Sequence, residues 1–247
     1  MKNVQVVAPQ VSEEVYVLKA RIKFRKYGVM KFIGHLDVMR FFQKMMRRAD
    51  IPIAFTGGFS PHMIMSFANP LGVGLTSDGE YFDIELTESI DMIDAVRRMN
   101  EVSVEGIEVL NMVPISDDKK KTGMSIVAAA DYLSGIKNGT FPTGWQEKAK
   151  TFMEQPEILI LKKTKKSEKE VDIKPMIYQF DIRSDNVFMQ VATGSVENLK
   201  PELVMKALCQ YLNIDAEDFS FWHHRLEVYA NIGTEEQKQL VGLDQVL

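Results

Sequence analysis

The sequence predicts an α+β fold made of tandem ferredoxin-like (βαββαβ) domains, in which antiparallel sheets carry helices on one face. Residues 16–25 alternate apolar with basic side chains, which is typical of a half-buried strand. Residues 35–49 repeat apolar side chains at the spacing of an amphipathic helix. A similar order of elements recurs after the polar stretch 116–123, so two units are expected.

The first unit begins with the alternating strand, in which Leu18 and Phe24 face one way and the basic side chains face the other. Gly34 is an acceptable N-cap for the helix that follows, and Pro52 stops that helix after its last turn. Two strands, a short helix and a fourth strand are then predicted at residues 62–68, 80–86, 91–99 and 106–113.

The second unit is predicted to repeat this order with an extended hairpin, which adds one strand to the simple pattern. Its strands are expected at residues 125–136, 157–164, 171–182, 187–193 and 219–230, and its helices at residues 145–153 and 201–212. The predicted domains are therefore residues 1–115 and 124–232. The remaining polar tail, residues 233–247, is expected to fray.

Composition excludes several classes of protein. The one cysteine, Cys209, excludes an intrachain disulfide, and a cluster or structural zinc site needs three or four thiolate or imidazole ligands. We therefore predict no metal and no cofactor. No run approaches the roughly 20 apolar residues that cross a bilayer. Gln5, Pro9 and Gln10 interrupt any apolar core of a signal peptide, so a cytoplasmic protein without membrane contact is expected.

Positive charge is concentrated in one part of the chain, although the net charge is −4. Between Lys19 and Arg48 there are ten Lys or Arg residues and one acid, Asp37. Such a patch suits a phosphate-bearing partner such as RNA, and it suits the acidic surface of another protein equally well. The predicted nucleic-acid contacts are Lys19, Arg21, Lys23, Arg25, Lys31, Arg40, Lys44, Arg47 and Arg48.

Strand pairing bears directly on this patch. In a ferredoxin-like sheet the first strand lies beside the third, whose open face would carry Tyr81, Asp83 and Glu85. Ion pairs across the two strands would neutralise part of the positive charge and leave Tyr81 available to stack on a base. A salt-bridged, solvated face is the alternative to an RNA-binding one.

Three titratable residues form the candidate catalytic set: His35, Asp37 and His62. Both histidines are expected near one end of the sheet, and the helix N-terminus would keep His35 neutral and able to act as a base. The alternative is that His35 packs at the edge of the core, because the helical wheel places it at the border of the apolar arc.

The glycine-rich segments TGGFSP and NPLGVG are candidate anion-binding loops. In the first, Gly57, Gly58 and Ser60 could present backbone N–H groups to an anion beside basic side chains. Neither segment matches a P-loop or a dinucleotide fingerprint. The alternative is that their glycines only permit turns with positive φ.

The stretch from Lys31 to Leu86 resembles the bacterial radical SAM-linked domain family, a domain of unknown function found fused to or encoded beside cobalamin-binding radical SAM proteins. The segments HLDVMR, GGFSPH, PLG and GEY match the family's HLDLMR, GFNPHP, PLG and GEY in order and spacing. This chain departs from the pattern at Ser60 and Met63. The resemblance implies a radical SAM protein as partner, with RNA as a further partner because family members occur near RNase and ribosomal protein genes.

The expected function is that of an accessory RNA-binding or substrate-presenting protein acting with a separate radical SAM enzyme. The chain has no CxxxCxxC motif, so it would be the non-catalytic half of such a pair. One alternative is a metal-independent endoribonuclease in which His35 or His62 is the general base. A second alternative is a scaffold that binds only protein.

Overall fold

The first half of the chain folds as strand, helix, two strands, helix and strand. The structure is a computed structural model that describes residues 18–163, 168–215 and 220–246. The elements of the first half are β1 (Leu18–Lys26), α1 (His35–Arg48), β2 (Met65–Phe67), β3 (Thr76–Leu86), α2 (Met92–Glu101) and β4 (Ile107–Ile115). Phe42 and Met45 lie on the apolar side of α1 and are fully buried, as the sequence pattern predicts.

The second half adds a longer series of strands and three helices. Its elements are α3 (Gly123–Ile126), β5 (Val127–Ile136), α4 (Trp145–Lys150), β6 (Leu159–Lys163), β7 (Glu168–Asp172), β8 (Ile177–Arg183), β9 (Asn186–Ala192), α5 (Pro201–Tyr211), β10 (Phe221–Asn231) and β11 (Leu240–Gly242). β6 and β7 form a hairpin at the position of the predicted extended hairpin, as a separate two-stranded sheet. The tip of this hairpin, residues 164–167, lies outside the described residues.

All other strands join one sheet. Its nine strands within the described residues follow the order β4-β1-β3-β10-β5-β9-β8, with β2 on β3 and β11 on β10. Every pair is antiparallel except β3 with β10, which run parallel. The fold is thus α+β, with a mostly antiparallel sheet and few helices.

Each half has its own hydrophobic core. In the first half the rings of Phe24, Phe42 and Phe82 pack with centroids 4.6–5.8 Å apart beneath α1. In the second half α5 buries Leu208 and Cys209 against the sheet. Burial raises the pKa of the Cys209 thiol to about 11, which agrees with the prediction of a packed and unreactive cysteine.

The structure differs from the predicted elements in three main places. The strand predicted from residue 125 begins at Val127, because Gly123–Ile126 forms the short helix α3. The single strand predicted at residues 171–182 is divided into β7 and β8, because a 3-10 turn at Lys174–Met176 separates them.

The third difference is the polar segment after Gly233, which was expected to fray. Instead β11 pairs with β10, and Leu243 is fully buried. The apolar residues of this segment follow no helix or strand period, so the sequence pattern did not predict this docking.

The junction of the two halves requires a glycine at position 79. A Cβ atom there would lie 2.8 Å from the Glu227 Cα and 2.9 Å from the Leu226 carbonyl oxygen. Because both neighbours are backbone, Gly79→Ala is expected to lower the free energy of unfolding by about 1–3 kcal/mol. Urea denaturation measures the change, and Gly57→Ala, where nothing lies within 4 Å, is the matched control. Equal stability of the two variants would contradict the close approach.

No helix among the described residues is long and apolar enough to cross a membrane.

Candidate functional site

The basic strand β1 pairs with β3 in the register that the sequence predicts. Lys19 lies opposite Glu85, Arg21 opposite Asp83, and Lys23 opposite Tyr81. This places the alternating cations directly against the acids of β3.

The four predicted strand contacts Lys19, Arg21, Lys23 and Arg25 do not form an open cationic surface. Their ammonium and guanidinium nitrogens all lie within 2.5–3.1 Å of a carboxylate oxygen, contributed respectively by Asp117, Asp83, Glu227 and Asp78. Arg21 is completely buried, so it cannot contact a ligand at the surface. Asp78 and Asp83 belong to β3, whereas Asp117 and Glu227 come from distant parts of the chain. Together these carboxylates neutralise the positive charge of the strand.

Tyr81 is not available to stack on a base. Only 2% of its surface is exposed, and its hydroxyl donates to Glu227 at 2.8 Å and lies 3.2 Å from Asp244. Burial, together with these two carboxylates, raises the pKa of the Tyr81 hydroxyl far above its usual range. The predicted aromatic contact therefore becomes part of a packed polar network.

Helix α1 keeps an exposed cationic surface. Arg40 lies 3.4 Å from Asp37, and the Lys31 ammonium lies over the Phe32 ring at 5.1 Å. Lys44, Arg47 and Arg48 are exposed on one side of the helix and, among the described residues, have no carboxylate partner. We call these three residues the α1 basic face. They border a shallow groove of about 400 Å³ whose other lining residues are Phe41 and Val104.

His35, Asp37 and His62 have separate partners. The His35 ring packs edge-on against Phe67 at 5.0 Å, while Asp37 is exposed and pairs with Arg40. His62 is exposed, and its Nδ1 lies 3.0 Å from the Thr56 hydroxyl. Within the described part of the chain, no three His, Cys, Asp or Glu side chains are grouped so that they could hold a metal ion.

His35 borders a small cavity behind the loop formed by residues 69–75. The cavity has a volume of about 10 Å³, close to that of one water molecule, and Lys26 and Glu80 also line it. Burial lowers the pKa of His35, which agrees with the predicted neutral imidazole. The Lys26 ammonium is buried, and burial lowers its pKa as well.

The GGFSPH segment forms an exposed loop. Gly57, Gly58 and Ser60 all lie at the surface, and Gly58 has a φ of +95°, which a residue with a side chain rarely adopts. The loop is closed by a hydrogen bond from the Thr56 N–H to the His62 carbonyl at 2.9 Å. Anion binding by this loop stays a prediction, and a turn explains its glycines.

A cleft of about 590 Å³ lies between the two halves, and the candidate anion-binding loop NPLGVG contributes to its lining. The loop 69–75 forms one wall, the start of α5 forms another, and β10 forms the floor. We call this the interhalf cleft. Its charged and polar lining residues are Asn69, Lys137, Asn198, Lys200, Glu202, Lys206, His223 and Arg225.

Arg225 holds the back of the interhalf cleft together. Its guanidinium donates to the Asn69 carbonyl and to Glu80, each at 2.8 Å, and to the Tyr132 hydroxyl at 3.0 Å. Glu80 is buried as well, and that burial raises the pKa of its carboxyl while Arg225 opposes the shift. The pair joins β10 of the second half to β3 and the loop of the first half.

His223 orients a carboxylate at the cleft wall. Its Nε2 lies 2.9 Å from a carboxylate oxygen of Glu202, and its Nδ1 lies 2.8 Å from the hydroxyl of the buried Ser134. His224 makes the equivalent contacts on the other face of β10, to Thr76 and Asp78. Adjacent strand residues face opposite sides, so the two histidines belong to separate networks.

The sequence held a partial signal for the cleft. The loop segment NPLGVG is predicted as an anion-binding loop or a turn, and Pro201 is predicted at the first position of α5. Their proximity depends on the parallel pairing of β3 with β10, which has no local pattern.

The fold and the cleft describe a mixed α+β protein with a mostly antiparallel sheet and a charged cavity at the junction of its halves. Residues 19–201 match the model of a family described as "Uncharacterized protein conserved in bacteria (DUF2344)", and the chain belongs to that family. No curated protein matches the chain.

Among solved structures, the chain is similar to a chain of the structure described as "Crystal Structure of a Cbf5-Nop10-Gar1 Complex". The two are 12% identical with a TM-score of 0.44. The match covers 85% of this chain and 48% of the other, so this chain spans about half the length of that one.

Proposed function

We propose that this protein is an accessory RNA-binding protein that presents a substrate to a separate radical SAM enzyme in the cytoplasm. The observation that carries the RNA-binding part is the α1 basic face. Lys44, Arg47 and Arg48 are spaced i, i+3 and i+4, so that they point the same way, and the described residues supply them with no carboxylate. Exposed cations without acid partners are the groups that bind a phosphate backbone.

The radical SAM partner is proposed from the resemblance of residues 31–86 to the radical SAM-linked domain family. A radical SAM cluster is held by cysteine thiolates, and this chain has the single Cys209. The cluster would therefore belong to the partner, and this chain would bind and orient the substrate. The radical SAM enzyme would then catalyse the reaction, and this protein would bind the substrate and position it for that reaction.

The strand order supports the further proposal that each half is a ferredoxin-like unit. In the first half of the chain the strands lie in the order β4, β1, β3, β2, so that the fourth strand is followed by the first, the third and the second. β10, β5, β9 and β8 repeat that order in the second half. The β6–β7 hairpin would then be an insertion between the first and second strands of the second unit.

The α1 basic face is expected to bind single-stranded RNA in a salt-dependent manner. Fluorescence anisotropy with a labelled single-stranded RNA, repeated between about 50 and 200 mM salt, measures the slope of log affinity against log salt. That slope is negative, and each lost phosphate contact makes it less steep by about 0.7, so the double variant Lys44→Gln/Arg47→Gln is expected to reduce its magnitude by about 1.4.

The control is Arg97→Gln on α2, because Arg97 is exposed and already paired with Asp94 and Glu101. It should leave the RNA slope unchanged. Absence of RNA retention at low salt would remove the proposal and favour a protein-binding scaffold. RNA cleavage in EDTA that disappears in His35→Ala or His62→Ala would favour an endoribonuclease instead. Pull-down of a radical SAM protein from the native cytosol tests the partner.

A further inference from the structure

The interhalf cleft combines cationic, carboxylate and apolar lining groups. Its volume of about 590 Å³ lies within the range of sites for one small molecule. The cleft is formed by both halves of the chain, and such junctions are frequent locations for ligand sites.

The first kind of group is cationic. Lys137 follows β5, Lys200 precedes α5, and Lys206 lies on α5, so three separate positions bring ammonium groups to one cleft. Lys137 and Lys200 are exposed at its rim. The Arg225 guanidinium is occupied by protein acceptors, and the Lys206 ammonium lies 3.7 Å from a carboxylate oxygen of Glu202. The exposed Lys137 and Lys200 are therefore the cations that can meet an incoming anion. A phosphate is the biological anion that such a set of lysines favours.

The second kind of group is a carboxylate held in a fixed position. Glu202 is oriented by His223, which is in turn fixed by the Ser134 hydroxyl. An ionised carboxylate only accepts hydrogen bonds, so a ligand that reaches it must bring donors. A ligand with both a phosphate and hydroxyl donors is a phosphorylated sugar, and a carboxylate on a ribose hydroxyl is a common form of nucleotide recognition.

The third kind of group is apolar. Val73, Leu75 and Phe221 line the cleft beside the charged groups. Val73 is 60% exposed, so its apolar side chain is accessible to a ligand in the cleft. A planar base can cover such a surface, whereas a sugar phosphate without a base cannot.

We propose that the interhalf cleft binds one ribonucleoside monophosphate unit, either free or as an unstacked residue of an RNA chain. Its phosphate lies near Lys137 and Lys200, its ribose hydroxyls donate to Glu202, and its base covers Val73 and Leu75. The RNA source rests on the proposed function, because a protein that presents one nucleotide must take it out of the stack. The free mononucleotide does not depend on that proposal.

The test uses the full chain and isothermal titration with the four ribonucleoside 5′-monophosphates and their 2′-deoxy counterparts. The ribonucleotide is expected to bind about 10- to 100-fold more tightly than its 2′-deoxy form, because a hydrogen bond to a charged group is lost. Glu202→Gln is expected to bring that ratio close to one. Lys137→Gln and Lys200→Gln should weaken both forms about equally, while Lys148→Gln, on the exposed side of α4, should change neither.

Several results would overturn the inference. One is the absence of binding by any of the monophosphates at about 1 mM. Another is a ribose preference that survives Glu202→Gln. If the thermal unfolding midpoint shows that Glu202→Gln does not fold, the exposed Lys200→Gln variant decides, and unchanged mononucleotide affinity in it counts against the cleft.

Competition separates the two sources and keeps this inference distinct from the proposed function. Displacement of a labelled mononucleotide by single-stranded RNA supports an RNA residue in the cleft, and binding without displacement supports a free nucleotide. RNA binding that depends on Lys44 and Arg47 but does not respond to any cleft variant overturns the RNA residue alone. Mononucleotide binding by a chain that retains no RNA overturns the proposed function and leaves the cleft assignment in place.

Discussion

Replacing Arg225 by methionine is expected to lower the free energy of unfolding by about 3–5 kcal/mol. Arg225 is 4% exposed, and its guanidinium is the hydrogen-bonded partner of the equally buried Glu80. Methionine keeps much of the side-chain length but leaves the Glu80 carboxylate without its cation. The Asn69 carbonyl and the Tyr132 hydroxyl also lose the hydrogen bonds that Arg225 donates to them. An unpaired buried charge costs far more than the lost pair contributes.

The stability lost in Arg225→Met should depend on pH, and the burial of Glu80 determines whether the loss grows or shrinks as the pH falls. Burial raises the Glu80 pKa above the ordinary value of 4.5, while Arg225 opposes that shift. A carboxyl whose folded-state pKa is raised contributes stability at low pH, and that contribution is lost as the pH rises through the folded pKa. Removal of Arg225 raises the folded pKa further, so the deficit of Arg225→Met is expected to shrink as the pH falls toward 5.

Urea denaturation at several pH values measures both effects. The double variant Arg225→Met/Glu80→Gln is expected to be more stable than Arg225→Met alone, because the buried carboxylate charge is removed together with its guanidinium partner. Arg97→Met, which replaces an exposed arginine on α2, should change stability by less than about 0.5 kcal/mol. A single variant as stable as this control, or a deficit that grows as the pH falls, would show that the buried pair does not hold the two halves together.

The predicted elements that the structure confirms are those with a strong local period. The alternation of Leu18–Lys26 fixed which face of β1 is buried, and its pairing with Glu85 and Asp83 followed from strand order. The apolar arc of α1 likewise placed Phe42 inside and Lys44 outside. In each case a side chain's surroundings depend on residues within one or two turns or strands, which is the range that a sequence pattern describes.

The features that the sequence did not predict depend on distant residues. Lys23 is neutralised by Glu227, which is 204 positions away, and no local pattern connects them. The interhalf cleft depends in the same way on the parallel pairing of His224 with Thr76. The basic strand was consequently overestimated as a binding surface, while the lysines around Glu202 were not considered together. Long-range pairings of this kind are decided by tertiary packing.

Replacing Arg21 by methionine is expected to cost about 3–5 kcal/mol as well, at the opposite side of the first half. The fully buried guanidinium donates to both carboxylate oxygens of Asp83, at 2.7 and 3.1 Å. It also donates to the carbonyl oxygens of Lys121 and Leu243, each at 2.9 Å. One side chain thus ties β1 and β3 to the linker and to the C-terminal segment. Lysine cannot reproduce this fork of donors, so Arg21→Lys should be nearly as damaging.

The matched control is Arg25→Met, because Arg25 lies on the same strand but is half exposed in its ion pairs with Asp78 and Glu108. It should cost no more than about 1 kcal/mol. Hydrogen exchange adds a local readout: Arg21→Met should release the amides of Leu240–Gly242 early, since the carbonyl that anchors the segment after β11 has lost its donor. Arg225→Met should leave those amides protected and loosen β3 against β10 instead. If both variants open the same region, the two buried arginines do not act as separate anchors.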